Sequence, residues 1–485
     1  MNAFLGLDIG TTTLSAVAWE AGSGAVLLTR TREHGATRHP APGRAELDLP
    51  RVNVLAIECL AEAKTALSAQ GIGVEAIGVT GQQHGVALLD AAGMPLAPAI
   101  TWQDRRVEER VPGSDDTYLE RFITAAGGDA AFAPMGCAPA AGYMGPTLYG
   151  LRERGQLPAE ATACFIPDAL VAHLTGGPPC TDPTDAGSSA LYDVLAGRWA
   201  WEIIARLDLP ASLFPAVRPT GSLATGLAPA QARQIGLAAG TPVAVALGDN
   251  QASFLGSVAE PARSVLVNIG TGGQLSAQID AFVRVPGFDT RAYLPGPDGA
   301  PRYLLVGAGY PGGSAYAHLA GLFRRIGQEV FGLAAEEPLY ETMNRLAAAA
   351  PPGCDGLRCE PTFTGTRDDP QRRASFTGLS PDNLTPGHLA RALLEGLARG
   401  YGDLYAAMQP MSGPRQTLIG SGNGLRRNPL LAALLREALG LPLRMTAHEE
   451  EAALGAALTA ALAVGALERG DIVGALRYRE LCPDV

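Results

Sequence analysis

Apolar residues open the chain in short runs. Residues 3–9 (AFLGLDI), Leu14–Trp19 and Ala25–Thr31 are each of strand length. Gly10–Thr13 and Gly22–Gly24 separate them. Three such runs divided by turn residues predict a β-meander. The spacing then changes. Between 52 and 67, apolar side chains fall at 52, 55, 56, 59, 60, 63 and 67. That is the period of an amphipathic helix, with Pro50 near its start. Residues 74–80 return to strand character and end in Gly81. Alternation of strand, helix and strand predicts an α/β fold. Later segments follow suit: a strand at Val243–Leu247, a long helix at 386–408 behind the N-cap Thr385, a strand at 415–420 and a last helix at 449–467. Ala125–Ala141 is rich in Ala, Gly and Pro and has no assignable period.

The pattern also repeats. Ile9-Gly10-Thr11 recurs as Ile269-Gly270-Thr271, again between two strand-like runs. Repetition of motif and context predicts a duplicated domain. The boundary falls near 255–262, giving domains of 1–258 and 259–485. A chain of 485 residues has room for two or three domains, each able to bury its own core.

Charge narrows the partners. The net charge is −11, and Lys64 is the single lysine. No cationic surface is available for nucleic acid, and no basic run for an anionic membrane. The Ala/Leu stretch 452–467 is shorter than a membrane span. Met1–Phe4 has no cationic leader character. The seven cysteines, at 59, 137, 164, 180, 354, 359 and 482, lack zinc-site spacing. Reduced thiols in a cytoplasmic protein are expected. Glycine is high, 60 of 485 residues, which fits tight turns or close approach of backbone to a ligand.

Five motifs carry possible chemistry. Asp8-Ile9-Gly10-Thr11-Thr12-Thr13 places an acid, a flexible turn and three hydroxyls together. Backbone N–H groups freed by glycine hold anions, and the acid suits Mg²⁺; a plain hairpin turn is the alternative. Gly248-Asp249-Asn250-Gln251 ends a strand where α/β proteins bind ligands. Asp249 is there either a base or an ordinary helix N-cap. Gly81-Gln82-Gln83-His84-Gly85 ends another strand, with His84 either in a cleft or structural. Thr101-Trp102-Gln103-Asp104-Arg105-Arg106 sets a flat ring beside an acid, a pairing that suits sugars and also a core Trp beside surface charge. Gly420–Gly424 is a strand-to-helix turn compatible with a nucleotide. A P-loop is excluded because no G-x-x-x-x-G-K-[ST] stretch occurs, and the lack of G-x-S-x-G argues against an α/β-hydrolase.

Together these motifs resemble the FGGY family of carbohydrate kinases, in the actin-like, hexokinase-like ATPase superfamily. The likeness runs from Phe4 to Glu468. LGLDIGTTT is similar to the family's first phosphate loop, VNIGTGGQLS to its second, LIGSGNGLRRNPLL to its adenosine loop and EEEAALGAALTAALAVG to its closing helix. Pro361–Arg367 through Gly378-Leu379 resembles a stretch of the family's second domain. The resemblance implies two RNase H-like domains with a catalytic cleft between them. It implies ATP and Mg²⁺, a sugar substrate, and a monomer or homodimer. It assigns Asp249 as general base. Asp8, with Asp249, serves the metal. Gly10, Thr11, Thr12, Thr13, Gly270, Thr271, Gly272, Gly312, Gly422, Asn423 and Arg426 meet ATP. Gln83, His84, Trp102, Asp104 and Asn250 meet the sugar. Within the family the motifs are most similar to those of sedoheptulokinases, which implies phosphorylation of a ketose primary hydroxyl. Xylulokinases are similar at fewer places, and a nucleotide- or sugar-binding member without transfer is the non-enzyme alternative. The family's first loop usually ends in Lys or Arg; here that place is Ser15.

Overall fold

The computed structural model describes residues 2–333, 339–365, 369 and 371–480. Cys482, Thr366 and Arg367 lie outside the described residues.

The expected meander is present. Strands β1 (Asn2–Ile9), β2 (Thr13–Glu20) and β3 (Ala25–Glu33) pair antiparallel in order. Helix α1 (Leu49–Ser68) is started by Asp48, whose side chain accepts from Arg51 N. Strand β4 (Gly73–Gly81) then pairs parallel to β1. The short helix α2 (Pro183–Ala186) follows, capped by Asp182. The strand expected at Val243–Leu247 is broken. Beside β5 (Leu223–Gly226), the chain forms β6 (Pro242–Ala244) and β7 (Leu247–Gly248), both parallel to β4. Val243 faces Ile77 and Leu247 faces Thr80, so four steps on one strand oppose three on the other. The extra residue is a bulge, and it re-aims the chain as helix α3 (Asp249–Leu255) begins. The sheet order is β5-β6-β4-β1-β2-β3, with β7 also on β4.

The second half repeats this wiring. Strands β8 (Ser264–Ile269), β9 (Gly272–Ile279), β10 (Asp289–Ala292) and β11 (Tyr303–Pro311) lead into helix α4 (Gly313–Phe331). The long helix α5 (Pro386–Ser412) starts at Thr385, whose side chain accepts from His388 N, as expected of an N-cap. Then come β12 (Thr417–Ser421), α6 (Asn423–Arg426), α7 (Pro429–Leu439), β13 (Leu443–Thr446), α8 (Glu451–Ala463) and β14 (Tyr478–Glu480). The sheet order is β10-β11-β9-β8-β12-β13-β14. Strand β8 is antiparallel to β9 and parallel to β12, as β1 is to β2 and β4.

The domains exchange helices. Helix α8 lies between β13 and β14 of the second sheet in sequence but packs on the first. A Cβ on Gly78 would lie 1.9 Å from Ala456 O, so only glycine lets the helix sit this close to β4. Helix α3 lies against α8 and stacks Phe254 edge-on to Tyr293, with ring centroids 5.4 Å apart. Covered on all sides, α8 is apolar around its whole circumference. The Ala/Leu stretch is thus an inter-domain helix. No helix among the described residues is long and apolar enough to cross a membrane.

Residues 125–141 also find a place. A helix over Tyr118–Ala126 gives way to a 3₁₀ helix over Asp129–Met135. Thr290 N of β10 then donates to Gly136 O at 2.8 Å, tying this stretch to the second domain.

Candidate active site

Each half of the chain carries a glycine turn between its first two long strands. In the first, Gly10 N donates to Thr13 O at 2.9 Å. Gln82 Nε2 donates to Gly10 O, and Thr37 Oγ1 to Thr11 O. Thr12 is exposed at the tip. In the second, Gly270 N donates to Gly272 O, while Gly313 N and Ser314 N donate to the carbonyls of Gly270 and Thr271. The start of α4 is thereby fixed on this loop. Gly312 packs on Gly272, whose oxygen would be 2.4 Å from any Cβ there.

The third glycine turn lies on the second. Gly422 has φ 87° and sits on Ile269 O. Asn423 begins α6. Arg426, assigned by resemblance to the adenosine, points its guanidinium into protein. Its N–H groups reach Thr446 O at 2.8 Å, His448 O and the Glu451 carboxylate.

The residues that the resemblance assigns to the sugar divide into two kinds. Asp104 is saturated. Its oxygens accept from Ala45 N (2.8 Å), Arg106 N (2.9 Å), Arg106 Nε (2.7 Å) and a terminal Arg106 nitrogen (2.9 Å). A carboxylate has about four lone-pair positions, and all four are used. Burial pushes its pKa up, but the bonds from Arg106 and Ala45 outweigh this and hold it below the ordinary value. In this arrangement Asp104 anchors its segment and keeps no acceptor position for a sugar hydroxyl. Trp102, two residues earlier, remains 40% exposed, and its indole N–H donates to Thr11 Oγ1 at 3.2 Å.

Asn250 is the opposite case. It is buried, and both its amide oxygen and nitrogen lack a hydrogen-bond partner among the described residues. A buried, unpartnered amide is costly unless something fills it. Gln83 is half-satisfied: Nε2 donates to Thr184 O at 2.9 Å, while Oε1 is buried without a partner. His84 is held in the left-handed region at φ 73°. Its Nδ1 lies 3.0 Å from Ser188 O, so that nitrogen carries the proton, and the ring stacks on Tyr143 at 4.0 Å.

Asp249 is the first residue of α3, with Gly248 in the cap position. Its carboxylate accepts from Asn250 N at 2.7 Å. Burial pushes its pKa up to about 6, with Arg291 and the Asn250 N–H acting in the other direction. Asp8 ends β1. Burial, then the charges of Asp249 and Glu450, push it up to about 8. One of its oxygens is buried without a partner among the described residues.

Two residues carried no signal in the sequence. Tyr143 gives His84 its stacking face. Arg291, on β10, is ion-paired to Asp289 at 3.0 Å and is the cation whose charge lowers the Asp249 pKa. Gln251 Nε2 donates to Ala292 O at 3.0 Å, holding β10 against α3. Ser15 is buried and hydrogen-bonded to Thr31 Oγ1 at 3.0 Å.

The model for the N-terminal domain of the FGGY family of carbohydrate kinases matches residues 3–256, and that for the C-terminal domain matches 265–464. The chain belongs to the FGGY family. It is 30% identical to a glycerol kinase of Thermus brockianus, over 97% of this chain and 92% of that protein. It is 28% identical to a sedoheptulokinase of Mus musculus, over 94% and 96%. A crystal structure of xylulose kinase from Rhodospirillum rubrum superposes with a TM-score of 0.85 at 28% identity, covering 99% of this chain and 94% of that one. The fold is thus the two-domain α/β fold of FGGY kinases. The activity is that of a phosphotransferase with an alcohol acceptor. As a kinase of this family it takes ATP as substrate.

A divalent metal is typical of such kinases, and the residues present fit one. The bare, buried oxygen of Asp8 lacks a donor, and acids crowd it. A dication would supply the missing counter-charge. Asp8, with Asp249 opposite, would hold it.

Proposed function

We propose that this FGGY kinase transfers the γ-phosphoryl group of ATP to a primary hydroxyl of a ketose, with sedoheptulose as the favoured acceptor. The carrying observation is the pair at the start of α3. Asp249 is a carboxylate poised for a proton, and beside it Asn250 holds an empty, buried amide. The likeness to the mouse sedoheptulokinase over nearly the whole chain supports a ketose. The glycerol kinase of Thermus brockianus, at 30% identity, keeps a polyol acceptor as the second reading.

In this reading the acceptor hydroxyl lies between Asp249 and the two phosphate loops. Its oxygen forms a bond to the γ-phosphorus while the bond from phosphorus to the β–γ bridging oxygen breaks. ADP leaves, and the hydroxyl proton passes to Asp249. Mg²⁺, when bound, neutralises phosphate charge. Gln83, His84, Trp102 and Asn250 orient the acceptor. Backbone N–H groups of the 10–13 and 270–272 turns receive the phosphates, and positioning supplies most of the rate. Closure of the two domains around the bound ligands would exclude water from the phosphoryl group.

Asp249→Asn tests this reading. The expected result is a kcat lower by about 10²–10⁴, the range for a lost general base. ADP affinity should stay near that of the natural protein. Near-normal turnover would overturn the role of Asp249. Kinetics with sedoheptulose, xylulose and glycerol separate the acceptors: the highest kcat/KM with glycerol replaces the ketose reading by the polyol one.

A further inference from the structure

The two acids preceding and opening α8 reach in different directions. Thr31 Oγ1, on β3 of the first domain, donates to Glu450 at 2.8 Å. Glu451 takes the guanidinium of Arg426 from the third glycine turn, in an ion pair whose side chains are only 12% and 8% exposed. Thr446 Oγ1 donates to the same Glu451 oxygen at 2.7 Å. His448 Nε2 lies 2.9 Å from Gly256 O, just past the end of α3. Below them, a Cβ on Gly455 of α8 would meet Ala252 O of α3 at 1.9 Å, so the two helices touch backbone to backbone. One short segment therefore contacts the turn at 422–426, the edge of the first sheet and the helix that begins with Asp249.

We infer that Glu450 and Glu451 form a positioning clasp. Glu451 sets the 422–426 turn through Arg426, Glu450 holds the first domain through Thr31, and nucleotide bound on one side is thereby felt at the acceptor side. This rests on the reading of 422–426 as the adenosine loop. The physical argument is the low exposure of the Arg426–Glu451 pair. A buried pair tolerates the loss of one partner poorly, because the other charge is left uncompensated. Arg426 then keeps only its bonds to Thr446 and His448, and the turn shifts. Two rigid helices in backbone contact pass the shift toward Asp249 instead of absorbing it.

The test uses the full chain and calorimetric binding of ADP, with steady-state kinetics alongside. Glu451→Gln keeps the shape and removes the charge. ADP affinity is expected to fall about tenfold, with the ATP KM rising in step and kcat falling as the shift reaches Asp249. Thr31→Val removes the other arm. Each ligand should then bind alone as before, while the mutual effect of acceptor and ADP on each other's affinity disappears. Gly422→Val is the control for the adenosine loop, since any side chain there strikes Ile269 O. If Gly422→Val weakens ADP but Glu451→Gln does not, the clasp is overturned and the loop reading stands. If neither weakens ADP, the loop reading itself fails. A lower kcat in Glu451→Gln with both KM values unchanged marks a purely structural residue and also overturns the clasp. Persistent coupling in Thr31→Val overturns the Glu450 arm.

Discussion

Trp102 donates its indole N–H to the hydroxyl of Thr11 across 3.2 Å. Trp102 stands in the segment proposed to face the acceptor, and Thr11 in the turn proposed to receive phosphate. The bond ties these two segments together within the first domain alone. A single neutral hydrogen bond contributes ~1 kcal/mol, or about a fivefold change in an equilibrium. Trp102→Phe keeps a ring and deletes the donor. It should raise the acceptor KM about fivefold and lower kcat by a similar factor, because the Thr11 hydroxyl loses the donor that orients it. Steady-state kinetics with each substrate varied in turn would read this, and unchanged values for both substrates would show the bond to be idle.

Asn250→Ala should separate stability from function. In the free protein the Asn250 amide is buried and makes no hydrogen bond among the described residues. Deleting it removes an unsatisfied polar group, so thermal stability should hold or rise slightly despite the small cavity. Acceptor binding should suffer, with the acceptor KM rising about ten- to a hundredfold as a donor and an acceptor are lost together. A drop in Tm with an unchanged KM would make Asn250 a core residue.

The local patterns were legible and the long-range ones were not. β1 to β3, α1 and α5 announce themselves through spacing and caps within a few residues, and the second Ile-Gly-Thr triplet reveals the repeat. Val243–Leu247 reads as one strand, because the bulge depends on where β4 runs, with Val243 opposite Ile77 and Leu247 opposite Thr80 far back in the chain. The last helix reads as a helix, but that it packs on the other domain's sheet depends on Gly6 and Gly78, which look like ordinary strand glycines. Asp104 shows the same limit at the site. An acid beside Trp102 suits a sugar, yet Arg106 and Ala45 occupy all its oxygens. Arg291 had no local signal at all, because its place near Asp249 comes from the fold of β10 against α3.

Asp8 leads to a pH-dependent stability. Burial and neighbouring acids raise its pKa from an ordinary 3.8 to about 8 in the folded chain. Between those values the folded state holds a proton that the unfolded state releases. Stability changes with pH in proportion to the protons bound unfolded minus those bound folded, so this group makes stability fall as pH rises from about 4 to about 8. Below about 4 both states are protonated and the penalty is gone; above about 8 it is fully developed. Asp8→Asn cannot ionise and carries no such penalty. Without metal or nucleotide, the variant should therefore melt with the natural protein near pH 4 and several degrees above it at pH 8 to 9. Mg-ADP should narrow the gap at high pH, since a dication compensates the Asp8 charge only where that charge exists. Parallel melting curves of the two proteins across the whole range would mean that Asp8 is already ionised in the folded chain, with a counter-charge supplied from elsewhere.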